Sequence, residues 1–231
     1  VSIAAYLSVV PKIGAIFALT QVVRDLPIST GWPMIIAIVA VLTMTYGYLA
    51  ALVQNNVVRL MAYSSIAQAG YFLLGIVAVN TSSLAFTSII IFSAAYVFMN
   101  LGAFAVIMCT GQTLETFANI GRKRIAMSIA MVVFLLSLTG IPPLAGFVGK
   151  FLLFGASIDA GFTWLTVVAI LNSVLSLAVY LRFVIPMYQQ DDDATGTRLE
   201  STPLARLVWI IALLFVLGIG LAAQPLLTGL I

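Results

Sequence analysis

Residues 136–155 read LSLTGIPPLAGFVGKFLLFG, an apolar run broken once by Gly-Ile-Pro-Pro and carrying a single charge, Lys150. No acidic residue lies between Glu115 and Asp159 to pair with it. A lysine at the centre of a hydrocarbon-length helix costs about 2.5–3.5 kcal/mol on insertion scales, and such residues mark ion or proton paths. Gly140, Pro142, Pro143 and Gly146 predict a broken helix: residues 125–139 form one half, and the other restarts with Lys150 near its first turn. Discontinuous helices near the bilayer midplane turn backbone carbonyls and helix-end dipoles toward a charge. The carbonyl end of 125–139 suits a cation. A lysine that snorkels to the interface is the bland alternative. Apolar sequence on both sides of Lys150 argues against it.

Working outward, composition sets the class. The chain is 63% hydrophobic and 7% charged, with mean hydropathy +1.19, whereas soluble domains carry about 25% charged residues. A spanning helix needs about 20 apolar residues, and seven stretches qualify: 1–23, 32–53, 58–80, 84–110, 125–158, 162–188 and 205–228. They are apolar all round, without the alternation of a membrane β-barrel. The fold class expected is an all-α membrane protein, a polytopic bundle of about seven transmembrane helices with one broken between Gly140 and Gly146. The whole chain, 1–231, reads as one membrane domain.

A single cysteine, Cys109, allows no internal disulfide and no thiolate cluster, and the absence of histidine removes imidazole metal ligands and haem ligation. Alternate loops divide the basic residues. Arg59, Arg122, Lys123, Arg124, Arg182, Arg198 and Arg206 fall on one side and Arg24 on the other. That bias makes the basic side cytoplasmic, or its matrix or stromal equivalent, and puts Ile231 opposite. Residues 111–124, GQTLETFANIGRKR, read as a short amphipathic helix at the interface, with Leu114, Phe117 and Ile120 on one face. Residues 189–202 read as a solvated acidic loop. The chain opens at Val1 inside a hydrophobic span, which suggests a piece of a larger or split subunit.

Three spans carry polar residues at helical spacing. Lys12 follows Pro11 in SVVPKIGAIF, and proline frees a carbonyl that is tolerated where backbone lines a cavity. Ser64, Gln68 and Tyr71 share one face of AYSSIAQAGYF, and Ser93, Tyr96 and Asn100 share one of FSAAYVFMNLGAF. Such faces can order water that carries protons. They can equally act as glue between helices, at ~0.6 kcal/mol per contact.

The segments TGIPPLAGFVGKFLLF (139–154), QNNVVRLMAYSSIAQAGY (54–71), MNLGAFAV (99–106), VPKIGAIFAL (10–19) and NSVLSLAVYLRFVIPMY (172–188) resemble the antiporter-like membrane subunits of complex I. The likeness runs nearly end to end and is closest to the subunit N branch of NADH-quinone oxidoreductase. NLGAF favours that branch, and sister subunit M usually carries glutamate where Lys150 stands. The resemblance implies a family of about fourteen helices, including two inverted five-helix repeats each with one broken helix, and this chain as the C-terminal half. Lys12 then matches the central lysine between two half-channels, and Lys150 the terminal lysine on the second broken helix. One departure is Val58 before Arg59, where the family often has lysine.

The function implied is proton translocation through a buried lysine and water path, coupled to quinone reduction elsewhere in the complex. Two ammonium groups ~7 Å apart at an effective dielectric of ~20 repel by roughly 2 kcal/mol, enough to make their titrations interdependent. No cofactor is expected in this chain; flavin, iron–sulfur clusters and quinone are expected on other subunits. The expected partners are those subunits, including sister antiporter-like ones, and the lipid bilayer, with no nucleic acid. Two rival readings are a subunit of a multisubunit cation/proton antiporter or related membrane-bound complex, and a passive structural subunit. Sodium needs oxygen ligands and usually a carboxylate, which no spanning segment supplies.

Overall fold

The computed structural model describes residues 1–118, 120–189 and 203–222. Among them nine helices follow one another: α1 (Ser2–Arg24), α2 (Trp32–Leu52), α3 (Val57–Val77), α4 (Leu84–Thr110), α5 (Ile120–Lys123), α6 (Ile125–Thr139), α7 (Ala145–Asp159), α8 (Thr163–Tyr188) and α9 (Pro203–Leu221). No strand occurs among the described residues beyond one isolated bridge, Asn56 to Thr113. Six helices are long and apolar enough to span a membrane, and α6 and α7 together make the seventh crossing. The expected spans are recovered to within a few residues at the ends described. Most of the acidic 189–202 segment, the end of the last expected span and Ile231 lie outside the described residues.

Burial orders the bundle. An 18-residue window of α3 is 78% buried and one of α4 is 67% buried, against 28–33% for α1, α2, α8 and α9. α4 touches α1, α3, α6, α7 and α9, whereas α2 packs chiefly along α3 and α8. The outer helices keep large apolar side chains exposed, among them Leu42, Leu171, Val174 and Leu214. That is the pattern of a bundle solvated by lipid, where an apolar exterior carries no penalty. α3 starts at Asn56, whose side chain accepts a hydrogen bond from the Arg59 backbone N–H at 3.0 Å. An asparagine cap of this kind satisfies one of the four unpaired donors at a helix start.

One expectation needs correcting. Residues 111–124 do not form one interfacial amphipathic helix. A 3-10 turn at Glu115–Phe117 is followed by the single turn of α5. Phe117 and Ile120 are buried, and the Phe117 ring lies 4.7 Å from that of Phe183 on α8. Gly111, at φ 148°, ends α4 and re-aims the chain across the bundle. Phe117 and Ile120 pack into the bundle, Phe117 against α8, while Leu114 is half-buried.

Candidate functional site

The broken crossing is built as the sequence suggested. α6 ends at Thr139, and Gly140 takes a left-handed conformation, φ 93°, that glycine adopts without steric cost. Its N–H donates to Leu136 O at 3.1 Å and Ser137 O at 3.0 Å, and the Ile141 N–H also reaches Leu136 O. The Pro142–Pro143 peptide bond is cis. α7 begins at Ala145, so Lys150 is the sixth residue of the helix and sits in its second turn, one turn later than expected. Gly146 lies against α6 so closely that a Cβ there would stand 1.7 Å from Ser137 O.

A helix leaves its last four carbonyls without intrahelical partners. Here each is accounted for. Leu136 O and Ser137 O are taken by the Gly140 turn; Leu138 O accepts from Gln68 Nε2 at 2.9 Å, and Thr139 O accepts from Lys150 Nζ at 3.0 Å. The two polar side chains singled out in the sequence thus close the two carbonyls that the turn leaves open. Inside hydrocarbon an unserved carbonyl costs several kcal/mol, so the break and these residues depend on each other.

Lys150 is 2% exposed. Its amine also donates to Ser173 Oγ on α8 at 3.3 Å and lies 3.9 Å from the centroid of the Tyr71 ring. Tyr71 in turn reaches Ser173 Oγ at 2.9 Å and donates to Ala169 O at 3.0 Å. A largely apolar groove of about 310 Å³, open to the outside of the bundle beside Phe151, Ile170 and Val174, reaches both Lys150 and Ser173.

A second cluster surrounds Lys12, at mid-length in α1. Its amine donates to the backbone O and to Oγ of Ser65, and to Tyr96 Oη at 3.2 Å. The Tyr96 hydroxyl also meets Ser65 Oγ at 2.8 Å and Ser8 O at 2.9 Å, and it accepts from Asn100 Nδ2 at 3.1 Å. Asn100 donates to Ser8 Oγ as well. Lys12 is half-buried, so it is less deeply enclosed than Lys150. Among the described residues neither amine meets a carboxylate; every polar partner is a hydroxyl or a carbonyl.

Between the two clusters lie Ser64, Gln68 and two tyrosines. Ser64 Oγ and Tyr180 Oη are 2.5 Å apart, and Gln68 Nε2 donates to Tyr48 Oη at 3.1 Å. Gln68 Oε1 is buried with no partner among the described residues. Ser64, Gln68, Tyr71, Tyr96 and Asn100 are all buried and each has a polar contact. Ser93 is buried too, but among the described residues its hydroxyl meets no partner and does not join Tyr96 and Asn100. Residues missed by the sequence reading are Ser8, Ser65, Tyr48, Thr139, Ser173 and Tyr180. A signal for two of them was present: Ser173, Ser176 and Tyr180 stand at i, i+3 and i+7 of α8. No group of histidine, cysteine or acidic side chains able to hold a metal occurs among the described residues.

Residues 1–176 match the family described as "NADH:quinone oxidoreductase/Mrp antiporter, TM". NADH-quinone oxidoreductase subunit N 2 of Sorangium cellulosum is 41% identical over 223 residues, which is 89% of this chain and 43% of that protein. A chain of respiratory complex I from Thermus thermophilus, solved with bound aureothin, superposes with TM-score 0.74 at 32% identity, covering 86% of this chain and 45% of that one. A chain of the Mrp complex from Dietzia sp. DQ12-45-1b shares the fold, with TM-score 0.69, 21% identity, and coverage of 85% and 45%. This chain thus spans less than half the length of each. By its sequence matches, the chain belongs to the NADH:quinone oxidoreductase/Mrp antiporter transmembrane family.

Proposed function

We propose that this chain is the C-terminal half of a proton-translocating subunit of an NADH:quinone oxidoreductase, with Lys12 and Lys150 as the groups that load and release protons. The single observation that carries the reading is the setting of Lys150. Its amine is buried against Thr139 O at the helix break, without a carboxylate partner among the described residues. A structural lysine would normally be paired or would snorkel. This one is held by neutral oxygens whose demands change when it gains or loses a proton.

Charge then moves as follows. Electron transfer on other subunits, which hold flavin, iron–sulfur clusters and quinone, shifts the local field along the membrane arm. Lys150 exchanges its proton through water held at its amine beside Ser173, and Lys12 does so through the Ser65, Tyr96 and Asn100 cluster. Ser64, Gln68, Tyr48 and Tyr180 lie between the two and supply hydroxyl and amide groups to order bridging water. Sister antiporter-like subunits continue the row. The membrane is an energy-transducing one, with the basic loops on its cytoplasmic, matrix or stromal face.

Lys150→Ala in the intact assembly tests this. NADH-driven acidification of membrane vesicles should fall sharply, while the amount of assembled complex is unchanged. An unaltered proton-to-electron ratio would remove Lys150 from the path. The likeness to the Mrp chain motivates a second reading, a cation/proton antiporter subunit. It requires transport that depends on sodium, and sodium-independent acidification excludes it.

A further inference from the structure

Ser173 shares one face of α8 with Ser176 and Tyr180. Among the described residues it is the one hydroxyl that contacts both the Lys150 amine, at 3.3 Å, and the Tyr71 phenol, at 2.9 Å. Proton counting orients this chain of contacts. Tyr71 has one hydroxyl proton, and it is directed at Ala169 O. The Tyr71 oxygen must therefore accept from Ser173, and Ser173 in turn accepts from the Lys150 ammonium. Donation runs from Lys150 to Ser173, from Ser173 to Tyr71 and from Tyr71 to Ala169 O, so both hydroxyl protons are used. A neutral amine changes one link only. It has a lone pair that seeks a donor, and the lysine's other contacts, Thr139 O and the Tyr71 ring face, supply none.

We propose that Ser173 is the positioning residue for Lys150. Its hydroxyl accepts from the ammonium and, by rotation about its C–O bond, donates to the lone pair of the neutral amine. This deepens the reading of Lys150 as a proton carrier and rests on it. In the transfer step an N–H bond of the ammonium breaks, its proton passes to a water hydrogen-bonded to the amine, and the nitrogen keeps the electron pair. The Ser173 proton is not transferred; it changes direction. The rotation leaves the Tyr71 oxygen with its own bond to Ala169 O intact, so only an acceptor is underused, the cheaper kind of loss. The other titratable groups around the site are Tyr48 on α2 and Tyr180 on α8. Asp159, at the far end of α7, is engaged by Ser82.

The test is a set of three substitutions in the intact assembly, scored by vesicle acidification across pH. Ser173→Ala should assemble, lower proton pumping about tenfold, as expected for a lost hydrogen bond to a charged group, and displace its pH profile. Ser173→Thr keeps the hydroxyl, so it should restore both rate and profile. Ser173→Cys, a weak donor and acceptor, should fall between them and serves if the alanine variant fails to assemble. Wild-type pumping and profile in the alanine or cysteine variant overturns the assignment, as does a threonine variant no better than cysteine. Lys150→Ala measured in parallel separates the two claims. If it pumps normally, the carrier reading itself has failed; if it is defective while Ser173→Ala is normal, only the role of Ser173 falls.

Discussion

The Lys150 amine stands 3.9 Å from the centroid of the Tyr71 ring, across the gap between α7 and α3. A desolvated cation over an aromatic face gains about 2 kcal/mol or more, so the ring takes part of the place a carboxylate would fill. Unlike a carboxylate, it cannot accept the proton. Tyr71→Phe should keep the ring and lose about 1 kcal/mol through the two bonds to its hydroxyl. Tyr71→Leu should lose the ring as well. Pumping in assembled membranes should therefore fall further for leucine than for phenylalanine; equal loss would show that the hydroxyl alone matters.

At Lys12 the Tyr96 hydroxyl joins Ser65, Ser8, Asn100 and the amine in one cluster. Tyr96→Phe and Ser65→Ala each remove part of the same network. Their combined effect on acidification should depart from the sum by about 0.5–3 kcal/mol, the range seen for groups sharing partners. Additive effects in the double-mutant cycle would mean that the two hydroxyls act separately.

Ser64 is 1% exposed and meets Tyr180 at 2.5 Å. Tyr180→Phe leaves that hydroxyl buried and unserved, which should cost about 1–3 kcal/mol. Adding Ser64→Ala should recover most of the loss. Thermal unfolding of the detergent-solubilised assembly measures both, and a double variant no more stable than Tyr180→Phe would argue against the pair.

The close approach of α7 to α6 gives the sharpest structural expectation. Gly146→Ala would place a Cβ 1.7 Å from Ser137 O, a backbone atom that cannot swing aside. Overpacking commonly costs 1–3 kcal/mol and occasionally more. Here the amount of assembled complex should drop, together with thermal stability. Normal assembly of this variant would mean that the break can open without penalty.

Much of this was legible in the chain before folding. Seven apolar runs of spanning length, the Gly-Ile-Pro-Pro interruption and the stranded lysines follow from local chemistry: proline and glycine end helices wherever they sit, and a charge among apolar neighbours is costly in any arrangement. The helix ends agree with the apolar runs to within a few residues for the same reason. Periodicity also placed Ser64, Gln68 and Tyr71 on one buried face, and Tyr96 with Asn100 on another. Ser93 shows the limit of spacing, which says which residues share a face but not whether the facing helix offers a partner. The 111–124 segment failed similarly: its apolar face was recognised, yet whether lipid or α8 covers it depends on neighbours remote in sequence.

What the amino-acid order settled alone was the membrane bundle, the site of the helix break and the two lysines whose burial needs an explanation. Only the packed structure decided what each amine touches. Thr139 lies 11 positions from Lys150 and Ser173 lies 23 away, while Ser65 is 53 from Lys12 and Tyr96 is 84 away. Those contacts arise because α3 and α4 pass through the middle of the bundle and α8 closes over the break. Helix-to-helix register is set by the fit of many side chains at once, and no local run of residues encodes it.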